Sequence, residues 1–284
     1  MCTQPTLYGA PVVQKRVTIT RPPAPPMGDS DVLVLHSRST LPDSSIVGAQ
    51  VLYLDLRLSL STVGSASVNW AFAGLRETVP LDEMEEDAVR YRWKHTIDSH
   101  GCDEPPDEGT MVERRDKNGE SIEIETGVSI DPETGKMGLY EEVWKSEHIP
   151  SGTPFAFLIS DEDPDRSTGF MGVLGPHAMG LWQGPAEEAF STTYRSEPRC
   201  FHAVRLRSDN ERFRSEEGKL HAYSKVFSTG YQMLDDQLGK FVEELLARER
   251  EGKGLWKRGE RLTLWDSRGR VLTWTVWDAA HVDN

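Results

Sequence analysis

The sequence predicts an all-β protein of two antiparallel β-barrel domains, with one amphipathic helix added near the C-terminus. Three observations carry this expectation. A strict period-two leucine row runs through Gln50–Leu60, short strand-like segments recur between turn-forming residues, and a single stretch at helical spacing interrupts them.

Taken in order, the β-branched segment Val12–Thr20 reads as a strand, and the prolines of Arg21–Pro26 as an extended, open connection, because each ring fixes φ and removes a donor. Asp31–His36 reads as a short buried strand. In the next segment Leu52, Leu54, Leu56, Leu58 and Leu60 share one face, while Tyr53, Asp55, Arg57 and Ser59 share the other. A helix cannot produce that alternation; it belongs to a sheet wet on one side or to a barrel wall. Further strands are expected at Ser67–Phe72, Val89–Ile97, Thr110–Arg114, Ser121–Ile130, Leu139–Lys145 and Phe155–Ser160, then at Gly169–Leu174, Cys200–Arg207, Leu220–Phe227, Arg261–Trp265 and Arg270–Asp278. Turn chemistry separates them at Asp116–Gly119, Asp131–Gly135 and Asp266–Gly269.

The helix is expected over Tyr231–Arg250. Leu234, Leu238, Phe241, Val242, Leu245 and Leu246 trace one stripe, Thr229 is the expected N-cap, and Asp235 and Arg248 lie at the ends the helix dipole favours. The breaker-rich Ile149–Pro154 divides the chain into an N-terminal barrel, 1–150, and a C-terminal barrel, 151–284, with the helix at about 231–250.

With 32 basic against 46 acidic residues, the net charge of −14 argues against binding nucleic-acid phosphates or anionic membrane surfaces. No stretch is apolar enough to insert in a membrane. Three scattered cysteines and the lack of a signal-like leader point to a reducing, intracellular compartment.

Trp70-Ala71-Phe72-Ala73-Gly74, Trp93 followed by Asp98-Ser99 and Gly101-Cys102, the Glu108-Gly109 step and Tyr140-Glu141-Glu142-Val143-Trp144 resemble, in order and spacing, the fungal HRI family. The likeness is dense from Val51 to Trp144. It is thin in the second half, where Gly180–Gly184 and the final Trp274–Trp277 match. The resemblance implies a pair of lipocalin-like (calycin-type) barrels, no established enzymatic activity and no cofactor. It also implies a casein kinase 1 as protein partner and a cytoplasmic or nuclear address.

Among candidate site residues, Trp70, Trp93 and Trp144, with Trp182 and Trp274 in the second half, could line a barrel pocket for a small apolar ligand or simply plug the interior. Of Glu141 and Glu142, one is expected to point inward and the other outward; an inward Glu142 would join the tryptophans as a ligand-binding residue, acting as a general base of raised pKa or paired with Arg76 or Arg92. His95, Asp98, Ser99, His100, Cys102, Asp103 and Glu104 contain metal-ligand types, but at no standard zinc spacing, and a cysteine–histidine nucleophile would need a geometry that closeness in sequence does not supply. Asp-Ser-His-Gly reads as a tight turn that Asp98 caps. Acidic Asp82–Asp87 and Asp161–Asp165 read as solvated loops, with Thr78 and Ser160 nearby as conceivable kinase sites. Gly169, Gly172 and Gly175 fit no nucleotide fingerprint. Two function classes follow: a non-enzymatic binding protein, and a cofactor-free isomerase or cyclase of fungal secondary metabolism that folds a polyene against aromatic barrel walls.

Overall fold

The computed structural model describes residues 6–28, 30–60, 66–81, 87–101, 106–130, 135–161, 167–185, 199–208 and 223–283. Eight strands, β1 (Val12–Thr20), β2 (Ser30–His36), β3 (Gln50–Ser59), β4 (Val68–Val79), β5 (Ala88–Asp98), β6 (Asp107–Arg115), β7 (Ser121–Ile130) and β8 (Met137–Glu147), follow one another up and down. The barrel closes where β8 pairs back onto β1, with Val13 opposite Glu147 and Thr20 opposite Glu141. Closure removes both sheet edges. The Asp116–Gly119 turn behaves as its residues dictate, while 131–134 of the expected Asp131–Gly135 turn lie outside the described residues. Asp116 accepts from the amides of Asn118 and Glu120 while Gly119 adopts φ 82°. The proline segment differs from expectation: a two-way bridge between Ile19 and Met27 closes Arg21–Pro26 into the β1–β2 turn rather than leaving it extended.

The leucine row of β3 is where the fold departs most from a simple barrel. Leu52, Leu54, Leu56 and Leu58 point outward, against Phe155, Phe157, Phe170 and Leu181 of the second half. Tyr53, Asp55 and Arg57, the polar face, point into the barrel. Burying each leucine contributes about 1.5–3 kcal/mol, so this outer wall is a core shared by the two halves. Polar ties frame it. Asp278, its side chain fully buried, accepts from the Arg38 amide (3.0 Å) and Nη2 (2.7 Å), and Gln183 exchanges bonds with the Asp98 backbone (2.9 and 3.3 Å).

The second half holds β9 (Pro154–Ser160), β10 (Thr168–Leu174), β11 (His177–Pro185), β12 (Arg199–Ser208), β13 (Tyr223–Ser228), α1 (Gln232–Arg250), β14 (Arg261–Trp265) and β15 (Val271–His281). The expected second barrel is corrected here: among the described residues the strands form an open seven-stranded sheet, in the order β13-β12-β11-β10-β9-β15-β14. The physical reason is the helix. Its Leu234, Leu238, Phe241 and Leu245 lie on the sheet face opposite the barrel, among Ala156, Leu158, Met171, Val204 and Trp274. It touches β9, β11, β12 and β14 and so fills the space that a closed barrel would enclose. The N-cap is Tyr231, which makes no side-chain cap bond, rather than Thr229, which hydrogen-bonds the backbone of Ala203 instead.

Candidate functional site

Alternate residues of the barrel strands build the site. On β3 and β4 the inward positions include Tyr53, Asp55, Arg57, Trp70, Phe72 and Arg76; β8 contributes Tyr140, Glu142 and Trp144. On β5, Trp93 and His95 point inward, but Ile97 two residues later belongs to the outer core. A bulge at Thr96, between the Ala73–Ile97 and Gly74–His95 pairs, resets the alternation. Gly74 is required there, because a Cβ would stand 1.9 Å from the Lys94 carbonyl oxygen. Gly127 serves similarly on β7, where a Cβ would meet the Tyr140 hydroxyl at 2.6 Å. The slot it leaves lets that phenol reach Glu125.

These side chains surround an interior cavity of about 60 Å³. One side is an ion network. Arg57 donates to Asp55 (2.9 Å) and to Glu142 (3.3 Å), and Arg16 also donates to Glu142. The Arg57 guanidinium lies 4.8 Å from the Trp70 ring centre and 5.2 Å from that of Phe72. Burial works against the charge of Arg57, but Asp55 and Glu142 outweigh it and hold the group protonated. Burial raises Asp55 above its ordinary value, opposed by Arg57. Beside this network Glu125 accepts from the Tyr140 hydroxyl (2.7 Å) and from Trp144 Nε1 (3.0 Å). Burial first, and then the charge of Glu142, push its carboxyl up to about 8.

The other side of the cavity is less complete. The Arg76 guanidinium lies 4.1 Å from the Tyr91 ring centre, and its Nε is buried without a hydrogen-bond partner. The Tyr53 hydroxyl is equally unpartnered in a side chain that is 1% exposed. Each such group costs about 1–3 kcal/mol if left dry. Neighbouring His36 is neutral at pH 7, since burial and then Arg76 hold its imidazole well below 6.5.

Asp98 is the hub of the His95–Gly101 turn. It accepts from Trp70 Nε1 (2.9 Å) and the His100 amide (2.7 Å) and meets His95 Nδ1 at 2.6 Å. The turn cap expected of Asp98 is therefore present. Cys102, Asp103 and Glu104 lie outside the described residues, as do Asp82–Glu86 and 162–166. Among the described residues no group of three or more His, Cys, Asp or Glu is placed to hold a metal ion.

Of the residues singled out from sequence, Trp70, Trp93, Trp144 and Glu142 meet at the cavity. Trp182 and Trp274 do not. Their rings lie 6.3 Å apart in the core beneath α1, where Trp274 Nε1 donates to Gln237 (3.0 Å). Glu141 is exposed and Glu142 buried, as alternation requires. The partners of Glu142 are Arg16 and Arg57; Arg92 pairs with Glu108 instead (2.6 Å). Thr78 and Ser160 are buried and hydrogen-bonded, which removes them as accessible kinase sites. Arg16, Asp55, Glu125 and Tyr140 were not anticipated. Tyr140 and Glu125 could have been found from Glu142 by stepping two residues along β8 and one strand across, once the register was known.

No curated protein and no solved structure matches the chain. The family described as Protein HRI1 matches residues 12–216, which takes in the whole barrel and β9–β12 and leaves β13, α1, β14 and β15 outside. The match spans well over half of the 284 residues, and the chain therefore belongs to the HRI1 family.

Proposed function

We propose that the protein is a non-enzymatic binding protein, in which the barrel cavity holds one small, polar molecule and the outer surface engages a protein partner. The observation that carries this reading is the cavity, small and lined by aromatic rings and by charged groups of which Arg57 and Glu142 are paired, with the Arg76 Nε and the Tyr53 hydroxyl on its wall left without partners. That lining suits a compact polar guest better than the apolar ligand expected from the tryptophans alone. The partner implied by the family resemblance is a casein kinase 1, with a cytoplasmic or nuclear address. A second reading, the cofactor-free isomerase, draws on Glu125, a buried carboxyl that titrates near neutrality and so has the acidity of a general base. A cavity of about 60 Å³ leaves no room for a polyene, which weighs against that reading.

Native mass spectrometry of the purified full-length protein, before and after denaturation, tests the binding reading. A released compound of low mass supports it, and a large apolar compound would return weight to the isomerase. Mixing the protein with a purified casein kinase 1 and sizing the mixture tests the partner; separate elution of the two would overturn it.

A further inference from the structure

We propose that the incompletely partnered end of the barrel cavity, around Arg76 and Tyr53, is a binding site for a compact carboxylate anion of two or three carbons. The inference deepens the binding reading above and rests on it. Arg57 and Arg16 are both matched by carboxylates, and Asp55 and Glu142 are committed to them. Arg76 differs. Among the described residues it pairs with no acid, its Nε has no hydrogen-bond partner, and its contact with Tyr91 is made over the ring rather than with the hydroxyl. Its neighbour His36 is neutral and cannot balance the charge.

Tyr53 stands on the same inner wall. It registers with Gly74, two residues along β4 from Arg76, which makes the two side chains diagonal neighbours on adjacent strands. Both residues line the cavity, and the Arg76 Nε and the Tyr53 hydroxyl each lack a hydrogen-bond partner. A carboxylate satisfies both, because its two oxygens accept from the planar fork of an arginine and from a hydroxyl at once. Size restricts the guest. A cavity of about 60 Å³ holds a few water-sized groups, which admits acetate or pyruvate and excludes a fatty acid.

The test titrates the ¹⁵N-labelled full-length protein with sodium acetate at constant ionic strength and follows the indole N–H signals of Trp70 and Trp93, assigned by Trp→Phe substitution. Acetamide and inorganic phosphate are run in parallel. A saturable shift with acetate, weakened about ten-fold or more in Arg76→Gln and less in Tyr53→Phe, is the expected result. Arg76→Lys, which keeps the charge but not the fork, should fall between and serves if Arg76→Gln does not fold. Equal responses to acetate and acetamide, preference for phosphate, or unchanged acetate affinity in the folded Arg76 variants would overturn the carboxylate assignment while leaving a small-molecule cavity standing. No saturable response to any probe would overturn the assignment and count against the cavity reading as well.

Discussion

The barrel and the helix-filled sheet each enclose tryptophans, yet their interiors are built from opposite chemistry. Beneath α1, Trp182 and Trp274 sit among aliphatic side chains, and the one prominent polar group, Gln237, is fully buried and bonded to Trp274. Inside the barrel, Trp70 and Trp144 sit among arginines and carboxylates, and a cavity remains. Apolar side chains can be repacked until voids vanish, whereas buried charges must keep the distances and partners that neutralise them. A helix is available to plug the sheet; the barrel has only its own side chains, and a charged set leaves space at the edge of its network. The apolar material that would ordinarily fill such a barrel is on its outside, against the second half.

Four substitutions sharpen this contrast, from the largest expected effect to the smallest. Arg57→Leu leaves Asp55 without its arginine and Glu142 with Arg16 alone, and should cost about 3–5 kcal/mol in chemical denaturation. Were it neutral, the barrel network would be no more demanding than an apolar core. Trp274→Phe deletes one donor in the helix core and strands the Gln237 oxygen, for a loss of about 1–3 kcal/mol in the same assay.

Glu125→Gln should act mainly through pH. Between 4.5, its ordinary value, and about 8 the folded protein keeps a proton on Glu125 that the unfolded chain releases. Stability is therefore complete below that window and declines as pH rises through it. Glutamine, which mimics the protonated acid toward Tyr140 and Trp144, should remove this decline, seen as a flatter profile of melting temperature against pH. An unchanged profile would show that Glu125 is ionised in the native barrel. Leu139→Thr, on the outer wall of β8 at 66% exposure, should change stability by less than about 0.5 kcal/mol. A larger loss by thermal melting would mean that this wall, like the leucine face of β3, is covered.

Much of the architecture was legible because strands and turns are local. The alternation of β3, the Asp116–Gly119 turn and the helical stripe of α1 all follow from spacing along the chain. The site was legible only in part. Alternation puts one of Glu141 and Glu142 inside, and it sets Asp55 and Arg57 opposite the leucines, but a polar face fits a wet sheet surface as well as a barrel interior. Alternation says that two faces differ and not which one looks inward. The bulge at Thr96 hides a further inversion, since His95 and Ile97 share a parity in sequence and lie on opposite sides in space.

By itself, then, the sequence determined the β character of the chain, the place of the helix α1, the two sides of an unbulged strand such as β3 and the set of residue types available for a site. Those are consequences of backbone periodicity and turn stereochemistry, which act over a few residues. Only the tertiary structure decided that the first sheet closes while the second wraps a helix, that the leucines of β3 form a wall between the halves, and that Arg57 rather than Arg76 meets Glu142. Those outcomes depend on which surfaces find each other across a hundred residues or more, and on which buried charges come within reach of an opposite one.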